Sequence, residues 1–120
     1  MRATGRAFTP QKTVSYEALI KDAAARVMDD RAPFDGPLRL TIRAVYMIPQ
    51  SWSAKKKRDV IWKTSKPDVD NLAKIVADAC NQIVYRDDAQ VAEVVVQKQY
   101  GPLSGLTVSV ETLSATRGVE

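Results

Sequence analysis

Aspartates are the side chains of this sequence best suited to chemistry, because its 120 residues include no histidine and a single cysteine. A Ser-His-Asp triad and a histidine-ligated metal site are thereby excluded. Asp68 and Asp70 stand at the start of a predicted helix, and Asp88 follows in a turn. Carboxylates can hold a hard divalent cation such as Mg²⁺, which prefers oxygen ligands. The cation can then polarise a phosphoryl oxygen and make a bound water nucleophilic.

The same aspartates also have an ordinary structural interpretation. Asp68 is at a favourable N-cap position, where a carboxylate accepts hydrogen bonds from free N–H groups. Asp70 and Lys74 have the i,i+4 order that favours an ion pair, and Asp87 and Asp88 are typical of a turn before a strand. Spacing alone leaves capping and a metal site both open. Asp88 joins the other aspartates only if the next strand runs back beside the helix, or in a site completed elsewhere.

Basic residues are concentrated in the first part of the chain. Residues 1–66 contain 14 basic and 6 acidic side chains, whereas residues 67–120 contain 4 and 8. A basic cluster consists of Lys55, Lys56, Lys57, Arg58, Lys63 and Lys66. We expect this basic cluster to contact a polyanion such as DNA, with a solvated lysine face as the alternative. Trp52 and Trp62 can stack on bases or fill a core or an interface.

The apolar pattern predicts one α+β domain over residues 1–120, with a small mixed sheet and two helices. The helices are predicted from Thr13 or Ser15, as the cap, to Met28 and from Asp68 to about Tyr85. Strands are predicted at residues 38–48, 91–100 and 106–110, the last two as an antiparallel hairpin. Residues 1–12 and 49–66 are predicted to be turns and loops. The buried stripe of the second helix is predicted to be Val69, Leu72, Ile75, Val76, Ala79 and Ile83.

Several short segments, taken in order, resemble one known family. They are residues 51–58, the motif Lys-Pro-Asp-Val-Asp-Asn-Leu at 66–72, residues 78–79, and residues 83–91 with the motif Asp-Asp-Ala-Gln. Together they resemble the RusA family of Holliday-junction resolvases over about residues 5–110. The two motifs at this distance are more specific than any single segment, and they favour the metal site over simple capping.

The resemblance implies a role for each acidic position. Asp68, Asp70 and Asp88 match the three acidic positions of the family motif, which implies that they bind metal and activate water. Lys74 matches a lysine of the family on the same helix, which implies that it neutralises charge on the phosphate. Asp87 is expected as an accessory ligand. The implied metal is Mg²⁺, with Mn²⁺ as a possible substitute.

The resemblance also implies an activity and an assembly. The expected protein is a homodimeric endonuclease that resolves four-way or branched DNA by paired nicks, in DNA recombination and repair. Two symmetric cuts require two active sites, and one small domain offers one. Two alternatives are a less selective phage nuclease for branched DNA and a nucleic-acid-binding module that does not cut.

Two further expectations concern the start of the chain and its location. Family members usually begin with a strand and a turn rich in proline and arginine, so we expect the first strand of the fold to be missing. No stretch approaches the ~20 apolar residues that span a bilayer, and the N-terminus has no targeting segment. The lone Cys80 fits a reducing compartment. We therefore expect a cytoplasmic protein with no membrane partner.

Overall fold

A computed structural model of the chain describes residues 2–7 and 15–117. The elements are, in order, β1 (Arg2–Ala7), α1 (Tyr16–Met28), β2 (Leu38–Met47), α2 (Ala54–Asp59), α3 (Val69–Cys80), β3 (Val91–Gly101) and β4 (Gly105–Thr112). A short 3-10 turn, Asp88–Gln90, precedes β3. The predicted α+β class with a mixed sheet is confirmed. Among the described residues, none of the helices combines the length and apolar character that crossing a bilayer requires.

The four strands form one sheet in the order β1-β4-β2-β3. β2 runs parallel to β3 and antiparallel to β4, and β4 runs antiparallel to β1. The predicted β3–β4 hairpin is therefore wrong, because β2 lies between the two strands. Leu38, Leu40 and Ile42 of β2 are completely buried. The strand with this fully buried stripe occupies the centre of the sheet, where it has a hydrogen-bonded neighbour on each side.

The N-terminal segment forms the edge strand β1, although we expected turns there and a missing first strand. Ala3 pairs with Val110, and the hydroxyl of Thr4 donates a 3.1 Å hydrogen bond to the hydroxyl of Ser109. The polar composition of Arg2–Ala7 gives a weak strand signal, and pairing with β4 overrides it. Gly5 permits close packing on α1, since a Cβ at Gly5 would lie 2.7 Å from a methyl carbon of Val27.

The helices α1 and α3 pack against each other and cover one face of the sheet. Ser15, one of the two predicted caps, is the N-cap of α1, and its hydroxyl accepts a 3.1 Å hydrogen bond from the N–H of Ala18. The opposite face of the sheet is polar. There Arg39 forms ion pairs with Glu93 and Glu111 at 2.7 and 3.0 Å. The buried core consists of Ala3, Ile20, Met28, Phe34, Leu38, Leu40, Ile42, Ala44, Leu72, Val76, Ala79, Cys80, Val84, Tyr85, Leu106 and Val110.

Two segments differ from their predicted secondary structure. α3 ends at Cys80 rather than near Tyr85, because the chain turns at Gln82, whose φ is +67°, and the N–H of Gln82 then bonds the carbonyl of Tyr85 at 2.7 Å. Val69, predicted to be buried, is 49% exposed. The basic segment contains a third helix, α2, whose start is capped by a 3.1 Å hydrogen bond from the N–H of Lys56 to the hydroxyl of Ser53.

Candidate active site

The start of α3 presents two carboxylates. Asp68 is the N-cap residue, yet its side chain accepts no capping hydrogen bond from the helix. The carboxylate is 54% exposed and lies 3.4 Å from the ammonium of Lys66, a surface contact of small energetic value. Asp70 occupies the first turn and is exposed. Capping therefore does not account for the aspartate at position 68.

Lys74 lies one helical turn after Asp70, on the same side of α3. Both side chains are exposed. Among the ion pairs of the described residues, none joins Asp70 to Lys74. The i,i+4 pair that offered the ordinary interpretation of these residues is therefore not formed, and both charges face solvent.

Asp87 and Asp88 stand in the turn that precedes β3. Asp87 caps this turn, since its carboxylate accepts a 3.0 Å hydrogen bond from the N–H of Ala89. The pKa of Asp88 is raised, first by a hydrogen bond with the Asp87 side chain, and then by partial loss of hydration and by the negative charges of Asp87 and Asp78. The acidic neighbours of Asp88 are therefore Asp87 and Asp78.

Asp88 lies at the opposite end of α3 from Asp68. β3 does run back beside α3, and Lys98 of β3 reaches the main chain directly before Asp68. Asp88, however, precedes the start of β3 at Val91, and the seven residue steps of strand from Val91 to Lys98 separate the two ends by ~23 Å. Within residues 2–7 and 15–117, no three acidic, cysteine or histidine side chains are close enough to hold one metal ion. Within one chain, Asp68 and Asp70 therefore both lie at the start of α3, whereas Asp88 lies at its other end.

Gln90 holds the turn that carries Asp88, a role that the sequence analysis missed. Its side-chain oxygen accepts hydrogen bonds from the N–H groups of Arg86 and Asp87 at 2.9 and 3.0 Å. Its amide nitrogen donates to the carbonyls of Phe34 and Gly36, each at 3.0 Å. The Asp-x-x-Gln spacing from Asp87 to Gln90 is the signature of a capping box and would have revealed this role.

Two lysines of the basic cluster lie over aromatic rings. All of its residues are exposed except Lys63, which is partly buried. The ammonium of Lys56 lies 4.3 Å from the ring centre of Trp52, and that ring packs edge-on against Tyr100 at 4.7 Å. Lys63 lies 5.0 Å from the ring centre of Tyr46. Trp52 is therefore a packing residue, whereas Trp62 is 54% exposed.

The basic cluster is joined to the start of α3 through the edge of β3. The N–H of Tyr100 donates to the carbonyl of Ile61 at 2.7 Å, and the N–H of Lys63 donates to the carbonyl of Lys98 at 3.0 Å. These two bonds hold residues 61–63, which lie shortly before α3 in the chain, against the edge of β3. The exposed lysines and the carboxylates of Asp68 and Asp70 consequently belong to one continuous stretch of surface chain.

Comparison with known proteins gives consistent matches. Residues 1–111 match the family described as Endodeoxyribonuclease RusA. The uncharacterized protein YqaN of Bacillus subtilis (strain 168) is 37% identical over 86 residues, which are 67% of this chain and 61% of the relative. The crossover junction endodeoxyribonuclease rusA of Lactococcus phage r1t is 40% identical over 63 residues, 52% of this chain and 44% of the relative. The matched part of this chain thus spans less than two thirds of each relative.

Proposed function

Because the chain belongs to the RusA family of endodeoxyribonucleases, we propose that it is a metal-dependent endonuclease that resolves four-way DNA junctions by paired nicks, in recombination and repair. One observation carries the proposal. The carboxylates of Asp68 and Asp70 are exposed at the start of α3, and neither an N-cap bond at Asp68 nor an ion pair from Asp70 to Lys74 occupies them.

The donor chemistry at this position fits Mg²⁺. This ion is usually held by one or two carboxylates together with water and substrate phosphates, so Asp68 and Asp70 suffice as protein ligands. Mn²⁺ accepts the same oxygen ligands. When bound, the ion supplies polarisation of a phosphoryl oxygen and a more acidic water. The chain contributes the placement of both carboxylates on the rigid start of a helix.

Lys74 and the basic cluster bind and orient the DNA. Lys74, exposed on the side of α3 that carries Asp70, would neutralise charge that develops on the phosphate. The basic cluster would contact the phosphate backbone, which dominates the affinity of proteins for DNA. The exposed ring of Trp62 offers a surface on which an unpaired base can stack.

The position of Asp88 supports a homodimer with shared sites. Asp88 cannot reach Asp68 within one chain, since β3 separates them by ~23 Å. We place Asp88 of the partner subunit beside Asp68 and Asp70, which makes two equivalent sites per dimer. Two symmetric sites match the chemistry of paired nicks on opposite strands.

The substitution Asp70→Asn tests the proposal. Cleavage of a synthetic four-way junction in Mg²⁺ should fall by about 100-fold or more, because a ligand charge is lost at the reacting phosphate. Junction binding in EDTA should be unchanged or stronger. Asp22→Asn on α1, which removes an exposed aspartate paired with Arg26, serves as the control and should cleave normally.

Three results would contradict the proposal. Normal cleavage by Asp70→Asn would remove the aspartate from the mechanism. Equal cleavage of flaps and four-way junctions by the wild type would indicate a less selective nuclease for branched DNA. Junction binding with no cleavage in Mg²⁺ or Mn²⁺ would indicate a binding module.

A further inference from the structure

Lys98 fixes the main chain directly before the aspartates of α3. It pairs in the sheet with Ala44, which is 1% exposed, so its side chain leaves β3 on the face covered by the helices. Its ammonium donates hydrogen bonds to the main-chain carbonyls of Ser65 at 2.7 Å and Pro67 at 2.6 Å. Its own carbonyl accepts a hydrogen bond from Lys63 at 3.0 Å. Lys98 thus ties residues 63–67 to the sheet.

We propose that Lys98 is a positioning residue, which sets the direction of the Asp68 and Asp70 carboxylates for a divalent cation. The inference rests on the proposed function. It assigns a role to a lysine that lies 30 residues after Asp68 in the sequence and outside the basic cluster.

The contacts of Asp68 explain why the main chain must be held. The Asp68 side chain has no capping bond to the helix, and its contact with Lys66 is long and exposed. The direction of this carboxylate therefore depends on where the backbone enters α3. The carbonyl of Pro67 belongs to the peptide unit that enters Asp68, and Lys98 holds this carbonyl with a charge-assisted hydrogen bond.

A second contact makes the support rigid. The carbonyl of Ser65 and the carbonyl of Pro67 receive hydrogen bonds from the same ammonium, so the chain between them is anchored at both ends. The other side-chain bond in this segment, from the Lys63 ammonium to the Ser65 hydroxyl at 2.9 Å, is exposed. Groups that orient metal ligands in this way typically change metal affinity or activity 10- to 100-fold when they are removed.

The substitution Lys98→Met tests the proposal, since it keeps the aliphatic stem and removes the donors. Mn²⁺ binding, measured by the electron paramagnetic resonance of the free ion, should weaken about 10-fold or more. Junction binding in EDTA should stay within about twofold of the wild type. Lys98→Arg restores charged donors and should recover most of the Mn²⁺ affinity. The matched control is Arg43→Met, which removes a cation from the opposite face of the sheet, where Arg43 bonds Gln99 at 2.7 Å.

The outcomes separate a positioning role from a purely structural one. A lower melting temperature of Lys98→Met with unchanged Mn²⁺ affinity would overturn the proposal, and so would equal weakening in Arg43→Met. If Lys98→Met does not fold, Lys98→Leu, which also lacks a donor, takes its place with the same expectation. A wild-type protein that neither binds Mn²⁺ nor cleaves would overturn the proposed function and this inference together. Full activity and metal binding in both Lys98→Met and the wild type would overturn this inference alone.

Discussion

The phenolic hydroxyl of Tyr85 donates a 2.7 Å hydrogen bond to the main-chain carbonyl of Ala77. That carbonyl would ordinarily bond the N–H of Asn81, but Asn81 donates instead to the carbonyl of Asp78 at 3.3 Å, where α3 ends. The ring of Tyr85 is completely buried. Tyr85 therefore satisfies a carbonyl that the end of the helix leaves free, and it joins α3 to the turn that carries Asp88.

Tyr85→Phe should destabilise the fold by about 1–3 kcal/mol, because the partly buried Ala77 carbonyl loses its donor. Urea denaturation measures this change. Tyr46→Phe is the matched control: within the described part of the chain, the hydroxyl of Tyr46 is buried without a hydrogen-bond partner. Its removal should leave the free energy of unfolding unchanged or slightly higher. Equal losses in the two variants would contradict the assignment.

Cys80 should make the protein less stable at alkaline pH. Burial raises the pKa of its thiol from 9.0 to about 12. Above pH 9 the unfolded chain releases this proton while the folded chain keeps it. The free energy of unfolding therefore falls as pH rises from the unfolded pKa of 9.0 to the folded pKa of about 12. The contribution between pH 8 and pH 10 is roughly 1.4 kcal/mol.

Urea denaturation at several pH values checks the behaviour of Cys80. Between pH 8 and pH 10, the free energy of unfolding should fall less steeply with pH in Cys80→Ala than in the wild type. This holds whatever the difference in overall stability between the two proteins. The burial of Tyr46 raises its pKa to about 12 as well, but its unfolded value of 10.0 confines its effect to higher pH. An identical slope in Cys80→Ala would contradict the prediction.

Shared active sites should be revealed by mixing inactive subunits. Asp70→Asn and Asp88→Asn should each be inactive alone. In a mixed dimer, one site combines the intact Asp70 of one protomer with the intact Asp88 of the other, so nicking of one strand of a four-way junction should return. Subunits refolded together are compared with the same subunits refolded separately and then combined on ice. Activity that stays absent after refolding together would contradict sites shared between protomers.

Neutralising Lys55, Lys56 and Lys57 together should weaken junction binding and its dependence on salt. Each phosphate contact that is lost lowers the slope of log affinity against log salt by about 0.9, so a loss of up to roughly 2.7 is expected. Titrations by fluorescence anisotropy at several salt concentrations measure the slope. Lys21→Gln on α1 is the control, and its slope should equal that of the wild type. An unchanged slope in the triple variant would make these lysines a solvated surface.

Local signals account for the parts of the fold that were predicted correctly. The period of apolar residues and the cap at Ser15 identify α1, and the alternation along β2 identifies a strand with one buried face. The end of α3 was missed because Ile83 and Tyr85 continue the apolar pattern after the left-handed turn at Gln82. β1 was missed because its polar residues become a strand only through pairing with β4.

The sequence predicted which side chains form the candidate site, but not their relative positions. The motif around Asp68 and Asp70 identified the carboxylates, and the structure leaves both exposed. The turn residues between β3 and β4 predict a reversal of the chain, but no local sequence signal predicts that β2 lies between these two strands in the sheet. For the same reason the distance from Asp88 to Asp68 depends on where β3 begins relative to α3. Lys98 belongs to no recognisable motif, because its role arises from hydrogen bonds to two main-chain carbonyls that are distant in sequence.

The insertion of β2 between β3 and β4 has a consequence for how the chain folds. The nearest pairing in sequence joins Leu38 to Val91, and the farthest joins Arg2 to Glu111. In the described part of the chain, β2 and β3 are the only paired strands that follow each other in sequence, and they run parallel, so no hairpin can nucleate the sheet. Contacts between residues so far apart in sequence require a large loss of chain entropy on loop closure before they stabilise the fold. Folding should therefore take milliseconds to seconds, as in proteins dominated by non-local strand pairing, with α1 and α3 available earlier as local structure.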